Sequence, residues 1–267
     1  MPFERRDFVR FALPPSLGTA EVLPMGKALE NYLSQMLNQR AEVVVAPNYE
    51  VLAKELLSGK VDAAWAPPFV CARVESMGAR ILVRGIRHGA GVYRAALVCR
   101  AQSQLTIDSL SGCSAVWTDR DSVGGYLLAI ALLKGKKLDP NQLFPKQTFA
   151  GSYRAALEAV AKGESDVTSV FARAGDGDGP TGISELLPGR EGEFRVVAFT
   201  EQAPNDGVAV SMGLQRSAGE LLEKTFLHLP ENPEGQELLK ALFNAERFES
   251  AQRLGYRALY RVALAAL

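Results

Sequence analysis

Strand-like and helix-like patterns alternate through the first hundred residues, and this alternation restricts the possible folds more than any other feature of the chain. Short apolar runs at 8–13, 42–46 and 61–65 are each followed by a turn signal and a segment with helical spacing of its apolar residues. Two further strand patterns lie at 80–84 and 92–100. Regular alternation of this kind is typical of a parallel sheet covered by helices. We therefore predict an α/β fold.

The same pattern indicates where a ligand would bind. Open α/β sheets bind ligands outside the carboxyl ends of their strands. This rule places the loops at 14–16, 48–49 and 67–69 on one edge of the sheet. The candidate ligand-binding residues of these loops are Ser16, Tyr49, Pro67 and Phe69.

The segment 113–134 predicts a short strand, a tight turn and a helix, with Ser122, Gly124 and Gly125 at the junction. Backbone N–H groups at such a helix start have no intrahelical acceptors, and with the helix dipole they favour an anion. The alternative is that Ser122 only caps the helix and the glycines only permit the turn. A second turn of this type lies at 150–153, so two helix N-termini would point at the same edge.

Composition argues against several classes of function. The chain has 30 Lys and Arg against 30 Asp and Glu, which gives no electrostatic basis for binding nucleic acid or an anionic membrane. Its two histidines, His88 and His228, have no ligand-like spacing, so we predict no metal site and no cofactor. We expect the three cysteines to be small buried residues. They are Cys71, Cys99 and Cys113.

Three further expectations concern local segments. The Gly/Asp run at 175–179 has some likeness to a calcium loop but lacks the bidentate glutamate, so we expect a flexible surface loop. From residue 217 to the end the pattern predicts only helices. No stretch is long enough to span a membrane, and the N-terminus has no hydrophobic signal region. We therefore expect a cytoplasmic protein, with a mature periplasmic form as the alternative.

Several segments, taken in order, resemble the phosphonate/phosphite/phosphate substrate-binding proteins of ABC transporters. These segments are 48–50, 56–67, the strand around Tyr93, 107–134, 138–140, 149–153, 159–167 and 204–206. The resemblance implies a type II periplasmic-binding-protein fold, in which two α/β lobes joined by two crossing strands close on a ligand. Lobe one would comprise 1–92 and 204–267, and lobe two 93–203.

The resemblance also implies a binding site that has lost part of its side chains. The family's Ser-Thr-Ser-Gly turn corresponds to 122–125, which reads Ser-Val-Gly-Gly, so only the first hydroxyl is kept. Its Gly-Ser-His turn corresponds to 151–153, where Tyr153 replaces the histidine. Phe171 stands where an acidic residue typically follows the strand. The positions that match the family's ligand contacts are Tyr49, Tyr93 and Asp206.

These losses bear on the ligand. A phosphonate dianion needs several donors to replace its hydration, and each lost hydrogen bond to a charged group removes about 1.5–3 kcal/mol. We therefore predict a non-enzymatic solute-binding protein whose ligand is a small anion or carboxylate, with an apolar part, rather than a phosphonate. The candidate ligand-binding residues are Ser16, Tyr49, Pro67, Phe69, Tyr93, Ser122, Val123, Gly124, Gly125, Tyr126, Ser152, Tyr153, Phe171 and Asp206.

Two alternatives remain open at this point. One is a ligand-free sensory or interaction domain with the same fold, because a fold does not determine a function. The other is a cytoplasmic enzyme of this fold, for which Asp119, Asp121 and Asp206 are the acid/base candidates. A transporter or a signalling protein is the expected macromolecular partner. Trp65, on a predicted strand, is expected in the core.

Overall fold

A computed structural model describes residues 8–15, 19–174 and 181–266. It contains two mixed α/β sheets, which confirms the predicted α/β class. The strands are β1 (Phe8–Leu13), β2 (Arg40–Val45), β3 (Ala63–Ala66), β4 (Arg80–Ile86), β5 (Val92–Arg100), β6 (Ser114–Trp117), β7 (Lys146–Phe149), β8 (Val167–Arg173), β9 (Phe194–Pro204), β10 (Gly207–Val210) and β11 (Arg247–Ser250).

The helices alternate with these strands in most of the chain. They are α1 (Thr19–Leu37), α2 (Tyr49–Ser58), α3 (Pro68–Ser76), α4 (Leu128–Gly135), α5 (Pro140–Leu143), α6 (Tyr153–Ala161), α7 (Ile183–Leu186), α8 (Arg216–Leu227), α9 (Pro233–Leu238) and α10 (Arg257–Ala266). Two π-helical turns, Val123–Leu127 and Leu239–Phe243, adjoin α4 and α9. Short 3-10 turns lie at Ile107–Ser109, Glu191–Glu193 and Leu229–Glu231.

The chain divides into two compact units. Unit 1 comprises Met1–Gly91 and Pro204–Tyr260, and unit 2 comprises Val92–Ala203 and Arg261–Leu267. The chain therefore enters unit 2 where β5 begins and leaves it where β9 ends.

The sheet of unit 1 has the strand order β11-β4-β10-β3-β1-β2. β1 pairs in parallel with β2 and β3, as predicted. The prediction of a wholly parallel sheet is wrong for the other half, because β10 runs antiparallel to both β3 and β4, and β11 antiparallel to β4. β10 and β11 come from the C-terminal part of the chain and enter the sheet from the opposite end. Gly207 is therefore paired with Ala66, at the carboxyl end of β3.

The sheet of unit 2 has the order β7-β6-β8-β5-β9. β6 pairs in parallel with β7 and β8, whereas β5 is antiparallel to β8. Tyr93, near the start of β5, is paired with Arg173 at the end of β8. The start of β5 thus lies at the same edge as the carboxyl ends of the parallel strands.

An aromatic cluster fills the core of unit 1. Trp65 packs edge-on against Phe243 and Phe248, with ring centroids 5.3 and 5.6 Å apart, which confirms its predicted core position. Phe248 belongs to β11, a strand that the sequence reading missed in favour of a wholly helical tail. Phe248 is the one buried residue of β11, so the strand shows no alternation of buried and exposed residues. The pairing of β11 with β4 and the packing of Phe248 in the aromatic cluster hold the strand in place.

The three cysteines have free thiols. Cys71 and Cys99 are buried as predicted, but Cys113 is only half-buried because it lies in the turn before β6. The Gly/Asp run at 175–179 lies outside the described residues, so the expectation of a surface loop there stays a prediction.

Candidate ligand-binding site

Ser122 begins the helix at the turn of unit 2 that the sequence singled out. Its Oγ accepts a hydrogen bond from the N–H of Gly125 at 3.1 Å, which confirms the capping role. The helix begins at Val123, and its first turn is π-helical because Leu127 N–H donates to the carbonyl of Ser122. Within the described part of the chain, no group accepts a hydrogen bond from the N–H of Val123 or Gly124. Neither donor therefore has an acceptor at the helix start, where both residues are buried.

The hydroxyl of Tyr153 occupies the space beside Gly124. A Cβ atom at Gly124 would lie 2.8 Å from the Tyr153 hydroxyl oxygen and 3.1 Å from Cε2 of Tyr93. The same hydroxyl lies 3.3 Å from Oγ of Ser122. Only glycine fits at position 124 while these tyrosines stay in place. A hydroxyl from α6 therefore stands where a longer side chain in the turn would place its own atoms.

Local packing fixes the position of Tyr153. It is the first residue of α6, whose N-cap Ser152 accepts a hydrogen bond from the N–H of Ala155 at 3.2 Å. Its ring packs edge-on against Phe171, with centroids 5.4 Å apart. Phe171 is held in turn by close contact with Gly182, where a Cβ atom would collide with the phenyl ring.

Five predicted residues of unit 2 therefore lie together at the carboxyl edge of its sheet. They are Tyr93, Ser122, Gly124, Tyr153 and Phe171. They come from β5, the turn after β6, the start of α6 and β8. The strand directions explain the grouping. β6 and β8 are parallel and β5 is antiparallel to β8, so the carboxyl ends of β6 and β8 and the start of β5 lie at the same edge.

The other predicted residues of unit 2 have structural roles here. Val123 is buried, and the Oγ of Ser152 is used by the cap of α6. The ring of Tyr126 packs edge-on against Trp117 and Phe149, at 5.6 and 5.3 Å.

Thr118 is a neighbour of the site that the sequence reading missed. It lies at the end of β6, beneath the turn, and a Cβ atom at Gly125 would collide with its hydroxyl. The residue is 7% exposed. Its Oγ1 has no hydrogen-bond partner among the described residues. The sequence could not predict this position, because the contact between Thr118 and Gly125 depends on the path of the turn that connects β6 to the helix.

We expect Thr118→Val to stabilise unit 2 by about 1 kcal/mol, because valine keeps the shape and removes an unpaired buried hydroxyl. Urea unfolding in a Trp65→Phe background, where the fluorescence comes from Trp117 in unit 2, measures the change. Thr200→Val is the matched control, since Oγ1 of Thr200 accepts from Ala95 N–H at 2.9 Å and donates to the Glu201 carbonyl at 2.8 Å. That control should lose stability. A loss of similar size in Thr118→Val would contradict the prediction.

Unit 1 also places predicted residues at the carboxyl edge of its sheet. Tyr49 is the first residue of α2, whose N-cap Asn48 accepts a hydrogen bond from Val51 N–H at 2.8 Å. Pro67 is the N-cap residue of α3, and the ring of Phe69 stacks on Tyr260 with centroids 6.5 Å apart. Ser16, predicted at the same edge, lies outside the described residues.

Asp206 is the charged one among the predicted residues of unit 1, and it is paired. Its carboxylate lies 2.5 Å from Nη1 of Arg87. The same guanidinium donates from Nε to the carbonyl of Asn244 at 2.8 Å and from Nη2 to that of Phe243 at 3.1 Å. The backbone carbonyl of Asp206 accepts a hydrogen bond from Gly85 N–H at 2.9 Å. Hydrogen bonds to or from backbone atoms therefore fix the positions of both Arg87 and Asp206.

Asn205 fixes the chain beside Asp206. Its side-chain amide donates to the carbonyls of Gly85 at 3.0 Å and Ala90 at 2.9 Å. Its own N–H donates to the carbonyl of Gly91 at 2.9 Å. Its carbonyl accepts from the hydroxyl of Tyr256 at 2.6 Å. Asn205 thus ties the return of the chain into unit 1 to the end of β4 and to the segment that follows it.

Two acidic groups lie beneath Asp206 and stay protonated. Burial raises the pKa of the Cys71 thiol well above its usual value, and the charge of Asp206 adds to the shift. Burial likewise raises the pKa of the Tyr256 hydroxyl, and the charge of Asp206 contributes. Neither group therefore supplies a nucleophile or a base at neutral pH.

The acid/base candidates of the enzyme hypothesis are engaged in turns or ion pairs. Asp119 and Asp121 are exposed, and Oδ1 of Asp119 accepts from the N–H of Asp121 at 2.8 Å. Asp206 is paired with Arg87. In the described ranges, no three His, Cys, Asp or Glu side chains form a group that could hold a metal. No helix there is both long and apolar enough to cross a bilayer.

Comparison with known proteins gives the family. The sequence profile described as "ABC transporter, phosphonate, periplasmic substrate-binding protein" matches residues 11–256. A protein of Xanthomonas citri bound to ATP is similar in structure, with a TM-score of 0.80 at 18% identity over 98% of this chain and 97% of that chain.

Two solved phosphonate-transport components are also similar. A binding protein component of the ABC phosphonate transporter of Pseudomonas aeruginosa has a TM-score of 0.73 at 17% identity, over 98% of this chain and 87% of that chain. A Prochlorococcus marinus protein in complex with methylphosphonate has a TM-score of 0.73 at 15% identity, over 97% of both chains. At these identities the likeness shows the fold, and it confirms the type II periplasmic-binding-protein fold.

The family match covers most of the chain and confirms the resemblance on which the sequence reading relied. The proteins of this family are substrate-binding components of transport systems, so the chain is a small-molecule binding protein. It belongs to the family of phosphonate ABC-transporter periplasmic substrate-binding proteins.

Proposed function

We propose that this protein binds a small organic carboxylate in preference to a phosphonate. The observation that carries the proposal is the place of the Tyr153 hydroxyl, 3.3 Å from Oγ of Ser122 and over Gly124. It brings a further hydroxyl to the turn and leaves no room for a side chain at position 124, where the family's turn has its second serine.

The donors at this edge suit a carboxylate. The hydroxyls of Ser122 and Tyr153 are hydrogen-bonded to each other, so one of their two O–H groups is used between them and one can donate to a ligand. With the N–H groups of Val123 and Gly124 this gives about three donors, close to the roughly four lone-pair sites of a carboxylate. A phosphonate dianion has three oxygens and twice the charge, and this set leaves part of it unpaired.

Aromatic rings give the ligand an apolar neighbour. The rings of Tyr93 and Phe171 lie beside Gly124 and Tyr153. A flat or short apolar group on the carboxylate would pack against them and contribute about 25 cal/mol per Å² of buried apolar surface. The remaining predicted residues of unit 2, Val123, Gly125, Tyr126 and Ser152, support the turn and the helix start.

Several finer parts of the function are proposals as well. The edge of unit 1, with Ser16, Tyr49, Pro67, Phe69 and Asp206, is proposed to contribute further ligand contacts. The protein would carry out no chemical step and would deliver its solute to an ABC transporter. The family's description as periplasmic supports the periplasmic alternative for its location.

The proposal is tested by calorimetry with pairs of ligands that differ only in the acid group. The pairs are acetate with methylphosphonate, propionate with ethylphosphonate, and benzoate with phenylphosphonate. We expect at least one carboxylate to bind about tenfold more tightly than its partner. A phosphonate that binds at micromolar affinity, and more tightly than its matched carboxylate, would contradict the proposal.

The role of Tyr153 is tested on the same ligands. We expect Tyr153→Phe to weaken carboxylate binding about 10- to 100-fold, because it removes one hydrogen bond to a charged group. Tyr32→Phe is the matched control, since its hydroxyl accepts from Asn232 Nδ2 at 3.2 Å in unit 1. Equal effects of the two variants would show that Tyr153 does not hold the ligand.

A further inference from the structure

We infer that Gly182 sets how large an apolar group the ligand site of unit 2 accepts, because it leaves room for the ring of Phe171 to lie away from the turn at 122–125. The inference rests on the proposed function and adds a determinant of ligand size to it. Gly182 is a positioning residue: it acts on the ligand only through Phe171.

The side chain of Phe171 extends from the turn at 122–125 to the residue that precedes α7. At one end, Cβ of Phe171 lies 3.6 Å from the position that a Cβ atom at Gly124 would take. At the other end, a Cβ atom at Gly182 would collide with the tip of the ring, that is with Cζ and both Cε atoms. A single aromatic side chain therefore fills the distance between these two glycines.

Backbone hydrogen bonds hold Gly182 against Phe171. The N–H of Gly182 donates to the carbonyl of Phe171 at 2.7 Å, and an antiparallel bridge joins Ala172 to Thr181. Gly182 has a φ of −65°, so its position does not need the conformational freedom of glycine. The effect of an alanine there would come from the contact of its methyl group with the ring.

The neighbours of Phe171 decide where a displaced ring would go. The pairing of β8 with β5, which places Phe171 opposite Ala95, fixes its backbone, so the ring is the part that can move. The ring of Tyr153 packs edge-on against it, with centroids 5.4 Å apart. A ring that turns away from position 182 approaches Tyr153 and Gly124, and close packing passes the shift on to the ligand site. The donors of the turn stay where they are.

The test compares acetate with benzoate by calorimetry, since both carry a carboxylate and they differ in the apolar group. We expect Gly182→Ala to weaken benzoate binding about tenfold and to change acetate binding less than about threefold, because overpacking affects the apolar part alone. Phe171→Leu shortens the side chain and removes the collision. In Gly182→Ala/Phe171→Leu, benzoate affinity should therefore return to within about threefold of that of Phe171→Leu.

The matched control is Gly192→Ala in the same unit, where a Cβ atom meets nothing within 4 Å. It should leave both affinities unchanged. Equal losses of acetate and benzoate binding in Gly182→Ala would overturn the inference, because they would show general damage to the site. A benzoate loss that persists in the double variant would overturn it as well, because Phe171 would then not carry the effect.

Thermal unfolding separates this inference from the proposed function, because it needs no ligand. Gly182→Ala should lower the midpoint of unfolding, and the shift should largely disappear when the same change is made in Phe171→Leu. An equal shift in both backgrounds would show that Gly182 does not position Phe171. If the unmodified protein binds neither acid, the proposed function fails and the role of Gly182 in ligand size fails with it, whereas the midpoints still report the contact.

Discussion

Gly124→Ser alone should abolish ligand binding and destabilise unit 2, although it restores a hydroxyl that the family carries at this position. The new Cβ would lie 2.8 Å from the Tyr153 hydroxyl oxygen and 3.1 Å from Cε2 of Tyr93. Overpacking of this kind typically costs about 1–3 kcal/mol. Thermal unfolding and calorimetry with propionate measure the two effects.

The same serine should be tolerated once Tyr153 is shortened. We expect Val123→Thr/Gly124→Ser/Tyr153→His, which restores the family's residues in both turns, to recover stability and to gain at least about 100-fold in methylphosphonate affinity, since it adds several hydrogen bonds to the dianion. Gly135→Ser is the matched control, because a Cβ there meets no atom within 4 Å. If Gly124→Ser alone proves as stable as that control, Tyr153 does not close the space.

Asn205→Ala should be among the most destabilising single substitutions in unit 1, at about 3 kcal/mol. Asn205 is 2% exposed, and its side chain satisfies the carbonyls of Gly85 and Ala90. Removal of the amide takes its donor from the buried carbonyl of Gly85, at up to about 3 kcal/mol, whereas the carbonyl of Ala90 still accepts from Arg87 N–H.

The two tryptophans allow this loss to be assigned to unit 1. Trp65 lies in unit 1 and Trp117 in unit 2, so a Trp117→Phe background leaves fluorescence that reports on unit 1 alone. Urea unfolding in that background should show a lower midpoint for Asn205→Ala. Asn48→Ala, which loses an exposed helix cap, should cost only about 1 kcal/mol. A cost for Asn205→Ala no greater than this would show that its two bonds contribute little.

Much of the fold could be predicted from local pattern. Apolar runs separated by turn signals located β1 to β6, and the helix starts at Ser122 and Ser152 were expected at these positions. Strand direction was harder, because β10 and β11 pair with strands that lie far earlier in the chain. Phe248 illustrates this: a single buried residue in β11 has no periodicity, and only its packing on Trp65 reveals the strand.

The candidate site was predicted as a list of positions but not as an arrangement. Gly124 and Tyr153 each looked like the loss of a family side chain. In the structure the two changes are coupled, because the hydroxyl of Tyr153 fills the space that a side chain at position 124 would need. Arg87 was missed for a similar reason, because an arginine after a strand gives no sign that it will meet Asp206. Both relations depend on which strand ends share an edge, which local pattern does not specify.

The hydrogen bond from Asn205 N–H to the carbonyl of Gly91, 2.9 Å long, also has a consequence for protein engineering. The chain leaves unit 1 after Gly91 and returns to it at Pro204, so the two severed ends of the host are already adjacent. In this topology residues 92–203 form a guest segment inserted between Gly91 and Pro204 of the host. A chimera could therefore exchange this segment, together with Arg261–Leu267 of the same unit, for that of a relative, and the turn at Ser122 would change while the host kept its own backbone junction.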